Sequence, residues 1–209
     1  MVVNRSKIMG ARGGGGGRGG GSGGGSLSSE QRQALDFLMQ QSVFNPLNAR
    51  SGFSDQAVRK EVQDAIRQYA KEVGLPVFYL TMEVGTMPKG FTGMAQGEHI
   101  TLAKSVYGGS YKNAMKKQQE ASDSGRAVQV SKPVSRTVWH ELGHVTYNHL
   151  SGSGKSQVAA AYKSFMGSGK RNGWGTQATK NAEEFFAEGM AKSLGGKSDS
   201  WTKAIRKAK

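Results

Sequence analysis

Apolar residues between Ser54 and Val73 recur every three or four positions, which is the spacing of one face of an α-helix. This face comprises Val58, Val62, Ile66, Tyr69 and Val73. Gly74-Leu75-Pro76 follows, and Gly and Pro commonly end helices. The pattern therefore predicts an amphipathic helix, and we expect its apolar face to pack on a sheet.

A further helix is predicted upstream of this one. Ser28 and Gln31 have the spacing of a capping box, in which two side chains satisfy free backbone N–H groups at a helix start. Apolar residues then follow at helical spacing, at Leu35, Leu38 and Met39. Asn45-Pro46 ends the pattern, because the residue before a proline disfavours the helical conformation.

Three segments in the middle of the chain have the composition or the alternation of β-strands. They are residues 77–84, 91–95 and 98–103, and residues 127–130 are a candidate fourth strand. Because helical patterns surround these strands without alternating regularly with them, we expect an α+β fold with a small mixed sheet.

Helical spacing returns in the second half of the chain. The predicted helices cover residues 113–121, 136–150 and 158–166, followed by a helix that runs to about Leu194 and a short basic helix. Ser135 is expected to cap the 136–150 helix, and Gly152 and Gly154 to end it. A glycine-rich loop is expected over 167–175. Thr179 or Asn181 should cap the helix that reaches Leu194, and Ser198 or Asp199 the last one.

The start of the chain is different in composition. Residues 10–25 are almost entirely glycine, and such a segment cannot bury enough apolar surface to offset the entropy of ordering it. We therefore predict a disordered, flexible Gly-rich tail over residues 1–26 and one domain over residues 27–209. Arg12 and Arg18 within the glycines also fit an RNA-binding tail, but two arginines favour this less than they favour a linker.

The chain carries 29 Lys and Arg against 15 Asp and Glu, a formal net charge of +14. Such a charge favours contact with nucleic acid, an anionic membrane surface or an acidic protein. No apolar run approaches the roughly 20 residues of a membrane span, and no apolar region suits a Sec signal peptide. We expect a protein that is cytoplasmic, virion-associated or exported by a route other than Sec.

His140-Glu141-Leu142-Gly143-His144 is the motif that carries chemistry. Two histidines four residues apart lie on one face of a helix, where both imidazoles reach a single Zn²⁺. Glu141 is placed to activate a metal-bound water rather than to bind the metal. Because the chain contains no cysteine, the remaining ligand must be a histidine or a carboxylate.

The third ligand comes from elsewhere in the chain. Metzincins need Gly and His three and six residues after the second histidine, where this chain has Tyr147 and Leu150. His149 points to another side of the helix. A glutamate from a second helix is the remaining option, and Glu183 and Glu184 are adjacent candidates. Only Glu184 has an acid one turn later, at Glu188.

The string Glu184-Phe-Phe-Ala-Glu188, together with the HExxH motif, resembles the gluzincin metallopeptidases, in particular the catalytic-domain family of anthrax lethal factor. The resemblance covers at most residues 98–192. It implies a zincin-like domain with an active-site HExxH helix and a second glutamate-bearing helix. It also implies that Glu184 is the third zinc ligand and that Glu188 orients a zinc-binding histidine.

The function expected from these features is zinc-dependent endopeptidase activity on a protein or peptide substrate, as in toxin-like or phage- and mobile-element-encoded proteases. A zinc-bound water activated by Glu141 would hydrolyse the peptide bond. Gluzincins also use a Tyr or His that donates to the oxyanion, for which Tyr162 is the first candidate, before Tyr147 and Tyr107.

The resemblance also predicts an edge strand that pairs with the substrate backbone, and residues 98–103 fit this role. Its substrate-binding residues would be His99, Ile100, Thr101 and Leu102. The alternative function is that of a catalytically inactive, zinc-stabilised basic module that binds nucleic acid or an anionic partner.

Overall fold

The computed structural model describes residues 52–73, 80–169 and 171–209. Four predictions lie outside these residues: the Gly-rich tail over 1–26, the domain boundary at residue 27, the helix expected after Ser28, and the role of Gly74-Leu75-Pro76 as a helix end.

The described residues form an α+β fold, as the sequence predicts. The helices are α1 (Gln56–Val73), α2 (Lys104–Tyr107), α3 (Tyr111–Asp123), α4 (Pro133–His149), α5 (Gly152–Ser168), α6 (Ala182–Leu194) and α7 (Ser200–Lys207), with a 3₁₀ turn at Thr176–Thr179. The strands are β1 (Thr81–Gly85), β2 (Gly93–Gln96) and β3 (His99–Ala103). None of the described helices combines the length and apolarity that a bilayer crossing requires.

The three strands form one mixed sheet in the order β1-β3-β2. β3 runs parallel to β1 and antiparallel to β2, and Ile100 faces Met82 on one side and Ala95 on the other. The prediction that residues 98–103 provide an edge strand is therefore wrong, because both backbone edges of β3 are paired. Among the described strands, β2 is the edge next to α4.

The predicted strand at residues 127–130 is also wrong. This segment has no strand partner, and the backbone N–H of Val128 donates to Oε2 of Glu188 at 2.9 Å. A side-chain carboxylate thus takes the hydrogen bond that a neighbouring strand would otherwise accept.

Helix α1 buries the predicted apolar face, together with Ala65 and Ala70, but it packs mainly on α4 rather than on the sheet. Two buried hydrogen bonds join the helices: Tyr69 Oη lies 2.7 Å from Thr146 Oγ1, and Trp139 Nε1 donates to the Ala65 carbonyl at 3.2 Å. Burying each large apolar side chain contributes about 1.5–3 kcal/mol. The helical spacing of apolar residues predicts which face of α1 is buried, but it does not predict that this face packs on α4.

Helix α4 carries the HExxH motif and is buried along most of its length. It begins at Pro133, before the predicted start, and Ser135 lies inside it rather than capping it. Glu61 of α1 does the capping, since its Oε1 accepts from the Ser135 N–H at 3.1 Å and from the Ser135 hydroxyl at 3.0 Å. A residue distant in sequence therefore replaces the local cap.

The end of α4 also differs from the prediction. Helix α4 ends at His149, and Gly152 and Gly154, which were expected to end it, lie in the first turn of α5. The Ser151 hydroxyl accepts from the Gly154 N–H at 3.1 Å and caps α5. The two helices are therefore joined by a short connection, and the glycines expected to end α4 instead begin α5.

Helix α6 crosses α4 at very close range. A Cβ atom at Gly143 would lie 2.7 Å from the Ala187 Cα atom. Asn181 caps α6 by accepting from the Glu184 N–H at 2.8 Å, which fixes where the helix starts. The glycine of the HExxH motif thus brings the second glutamate-bearing helix against the first.

Candidate metal centre

Three side chains from α4 and α6 converge on one point. His140 Nε2 and His144 Nε2 lie 3.1 Å apart, one helical turn from each other on α4. Oε2 of Glu184, on α6, lies 3.3 Å from His140 Nε2 and 3.7 Å from His144 Nε2. The structure therefore brings together the three residues that the sequence analysis proposed as ligands.

The spacing of these atoms fits a tetrahedral metal ion. Ligands bound to zinc at roughly 2.0–2.1 Å lie about 3.3–3.4 Å from one another in a tetrahedron. Two imidazole nitrogens 3.1 Å apart repel each other unless a proton or a cation lies between them. Oε2 of Glu184 is buried and has no hydrogen-bond donor, so a cation would satisfy all three atoms. Two nitrogens and one carboxylate oxygen are a donor set that suits zinc.

Glu188 supports His140 from behind. Its Oε1 lies 3.3 Å from His140 Nδ1, an ion-pair distance whose angle falls short of a hydrogen bond. The carboxylate is fully buried, and the Val128 N–H holds its other oxygen. This is the orienting position that the resemblance assigns to Glu188.

Glu183 supports His144, a contact that the sequence analysis missed. Its Oε1 lies 2.8 Å from His144 Nδ1, and its side chain is 40% exposed. From the sequence, Glu183 and Glu184 are alternative ligands. Adjacent residues on a helix point about 100° apart, so a second carboxylate beside the ligand reaches the outer face of the other imidazole. Each histidine thus has its own carboxylate.

Glu141 lies in the same cleft, whose volume is about 460 Å³. It is 5% exposed and packs beneath β2, where a Cβ atom at Gly93 would lie 2.8 Å from Glu141 Oε1. Burial raises the pKa of Glu141, against the opposing charges of His140 and His144. A side chain at this position would have to displace the side chains of Glu141 and Thr137.

The carboxylates around His140 change its protonation. Burial alone would lower the pKa of His140, but its contacts with Glu184 and Glu188 and the charge of Glu141 raise it to about 10. Burial would raise the pKa of Glu184 and Glu188, but their contacts with His140 lower it. Without a metal, the cluster therefore holds a protonated imidazole between carboxylates.

The structure does not bring the predicted oxyanion donors to the cleft. The Tyr162 hydroxyl donates to the Thr179 carbonyl at 2.8 Å, and that of the buried Tyr107 donates to the Val134 carbonyl at 3.0 Å. The Tyr147 ring packs on Phe186, with ring centres 5.7 Å apart. None of the three lines the cleft. Each tyrosine is held by packing or by a hydrogen bond elsewhere.

The residues proposed to bind substrate are also outside the cleft. Ile100 and Leu102 are buried in the core, and His99 contacts Thr81 and Glu83. Thr101 lies on the central strand. The strand that lines the cleft is β2, with Gly93, Met94 and Ala95. His149 pairs with Glu98 at 3.2 Å, away from the cluster, as expected.

No protein-family model matches the chain, and no curated protein or solved structure matches it either. The candidate metal centre therefore rests on the geometry of the site: His140, His144 and Glu184 surround one point, and Glu141 lies in the same cleft.

Proposed function

We propose that this chain is a zinc-dependent endopeptidase with a zincin-like domain of the gluzincin type. The observation that carries the proposal is the convergence of His140 Nε2, His144 Nε2 and Glu184 Oε2 within 3.7 Å of one another, beside Glu141. The carboxylates behind both imidazoles support it, because metal-binding histidines almost always donate their second ring N–H to such a partner.

A zinc ion held by these residues would polarise the peptide carbonyl and make a bound water more acidic. Glu141 would accept the proton of that water and pass it to the leaving amine, as a general base and then a general acid. Burial raises the pKa of Glu141, which makes it a better proton acceptor than an exposed carboxylate. Gly93 lets β2 lie close against Glu141 on that side.

The edge strand β2 is the place for an extended substrate. Its partner β3 occupies one side of its backbone, and among the described strands none pairs with the other. Gly93, Met94 and Ala95 line the cleft that contains Glu141. A peptide that pairs with β2 would therefore pass close to the metal ligands, with main-chain hydrogen bonds providing affinity.

The proposal is tested by metal analysis combined with cleavage of an unfolded protein such as casein. We expect one zinc per chain, and Glu141→Gln should retain zinc while losing hydrolysis. Glu184→Gln should lose zinc as well. Undiminished cleavage by Glu141→Gln would overturn the mechanism, whereas bound zinc without hydrolysis of any peptide would favour the inactive binding module.

A further inference from the structure

Basic side chains surround the cleft that contains Glu141. Lys89, Arg126 and Lys180 lie along its rim, and Arg136 lines it from below. The side chain of Arg136 is buried, and its Nε has no hydrogen-bond partner. The cleft thus has acidic residues at its centre and basic residues around them.

The three rim residues come from separate segments that are hydrogen-bonded to one another. The Arg126 guanidinium donates to the Gly90 carbonyl at 3.2 Å, next to Lys89. On its other side, Gln177 N–H donates to the Arg126 carbonyl at 3.3 Å, and Lys180 N–H donates to the Gln177 carbonyl at 3.0 Å. We call Lys89, Arg126 and Lys180 the cationic rim. These hydrogen bonds join the three segments that carry the cationic rim.

The acidic residues of the cleft pair with only one of the three residues of the cationic rim. The four carboxylates, Glu141, Glu183, Glu184 and Glu188, surround the two histidines. Lys89 and Arg126 have no ion pair with any described residue, and Lys180 Nζ forms a long ion pair with Glu184 Oε1, at 4.0 Å, from a side chain that is 58% exposed. With a divalent cation among the carboxylates, the rim presents uncompensated positive charge to whatever enters.

Resting on the proposed function, we propose that this cleft selects peptides with acidic side chains beside the bond to be cut. Lys89, Arg126 and Lys180 line the same cleft as the candidate metal ligands and Glu141, so side chains that flank the bond at the metal would lie near the cationic rim. A peptide is favoured over nucleic acid because β2 offers backbone pairing and the cleft contains a buried general base. Lys89, Arg126 and Lys180 are then the residues that determine specificity.

Cleavage kinetics provide the first test. The substrates are peptides that share one uncharged sequence and differ at a single position, which is Glu, Gln or Lys. Each position is substituted in turn. At low salt, we expect kcat/KM to be about tenfold higher for the best Glu peptide than for its Gln counterpart, since a few exposed charge pairs at a few-fold each multiply to that order. The preference should shrink in high salt because exposed charges are screened.

Charge reversal identifies the residues responsible. Lys89→Glu combined with Lys180→Glu should remove the preference for Glu peptides and favour Lys peptides, at saturating zinc and with zinc content verified. Lys203→Gln, an exposed lysine of α7 outside the cleft, is the matched control and should keep the wild-type preference. Equal rates for Glu, Gln and Lys peptides in the wild type would overturn the proposal while leaving the peptidase intact.

Measurements of peptide binding test the proposed specificity independently of peptidase activity. Fluorescence anisotropy with the same labelled peptides and zinc-loaded Glu141→Gln protein should show the same order of affinities. Acidic peptides that bind in a Lys89- and Lys180-dependent way, without any cleavage by wild type, would support the specificity and reject the peptidase. An oligonucleotide that binds through the cationic rim, where acidic peptides do not, would overturn the proposal.

Discussion

At the scale of single residues, each imidazole of the candidate metal centre has its own carboxylate, but the two carboxylates differ in environment. Glu188 is fully buried and also holds the Val128 N–H, whereas the Glu183 side chain is 40% exposed. A buried hydrogen-bonded group loses more on substitution than an exposed one, because its partners are left without water. The two residues should therefore differ in how strongly they support the metal.

We expect Glu183→Gln to weaken zinc binding about tenfold and Glu188→Gln about a hundredfold, the two ends of the range for partners of metal-binding histidines. Competition with a chromophoric chelator measures both affinities. Glu98→Gln is the matched control, because Glu98 contacts His149 in the same kind of pair away from the centre. A control variant that loses as much affinity as Glu183→Gln would contradict a specific role for Glu183.

The protonation of His140 predicts how zinc binding depends on pH. In the metal-free protein its pKa is about 10, because contacts with Glu184 and Glu188 outweigh the effect of burial. Zinc binds the unprotonated ring, so uptake near neutral pH should release close to one proton from His140. The apparent affinity should rise with pH until about pH 10, where that proton is already lost.

Calorimetry in two buffers of different ionisation enthalpy counts the released protons. Glu188→Gln should lower the pKa of His140 by removing one carboxylate, so proton release should end at a lower pH in this variant than in the wild type. Zinc uptake without proton release in the wild type would contradict the protonation that we infer for His140.

At the scale of helices and strands, the close crossing of α4 and α6 sets the position of Glu184 relative to the histidines. A Cβ at Gly143 would lie 2.7 Å from a backbone atom, Ala187 Cα, which cannot move aside alone. Gly143→Ala should therefore separate the helices. Overpacking costs about 1–3 kcal/mol, against up to about 1 kcal/mol gained in helix propensity.

We thus expect Gly143→Ala to lower the free energy of unfolding and to weaken zinc binding, measured by urea denaturation and chelator competition. Gly167→Ala in α5 is the control, since no atom lies within 4 Å of its Cβ position, and this variant should be neutral or slightly stabilising. Unchanged zinc affinity in Gly143→Ala would show that the crossing does not position Glu184.

Sequence patterns located the longer described helices, though not the short α2, because apolar spacing and side-chain caps are local signals. The apolar face of α1 and the Asn181 cap of α6 are both readable from neighbouring residues. The errors have non-local causes: Glu61 replaces Ser135 as the cap of α4, and Glu188 takes the backbone hydrogen bond of the expected strand at 127–130. Strand order is likewise a property of the fold, so the edge strand was placed at β3 instead of β2.

The candidate metal ligands were predictable because their spacing within each helix is a local property, whereas the position of the edge strand is not. His140 and His144 are fixed by one helical turn, and Glu184 and Glu188 by another. The cationic rim instead assembles from three segments far apart in sequence. Only the folded chain shows that Lys89, Arg126 and Lys180 share one border.

At the scale of the whole molecule, the candidate metal centre lies between two helices that both belong to the core. His140, Glu141 and Glu188 are almost completely buried, and they pack among the apolar residues of α4 and α6. Without a metal, this buried cluster keeps several charges in a poorly solvated place, which is costly. Zinc should therefore stabilise the fold as well as supply chemistry.

A ligand that binds only the folded state at a thousand times its Kd adds about 4 kcal/mol to stability. For a domain of this size, each kcal/mol shifts Tm by about 2–4 °C, so saturating zinc should raise Tm by about 8–16 °C over the chelator-treated protein. Calorimetry or circular dichroism measures this shift. Glu184→Gln should abolish most of it, because that variant loses an anionic ligand, whereas Glu141→Gln should retain it. An equal rise in Glu184→Gln would mean that zinc stabilises the chain from another site, because a ligand can stabilise the fold only through the residues that bind it.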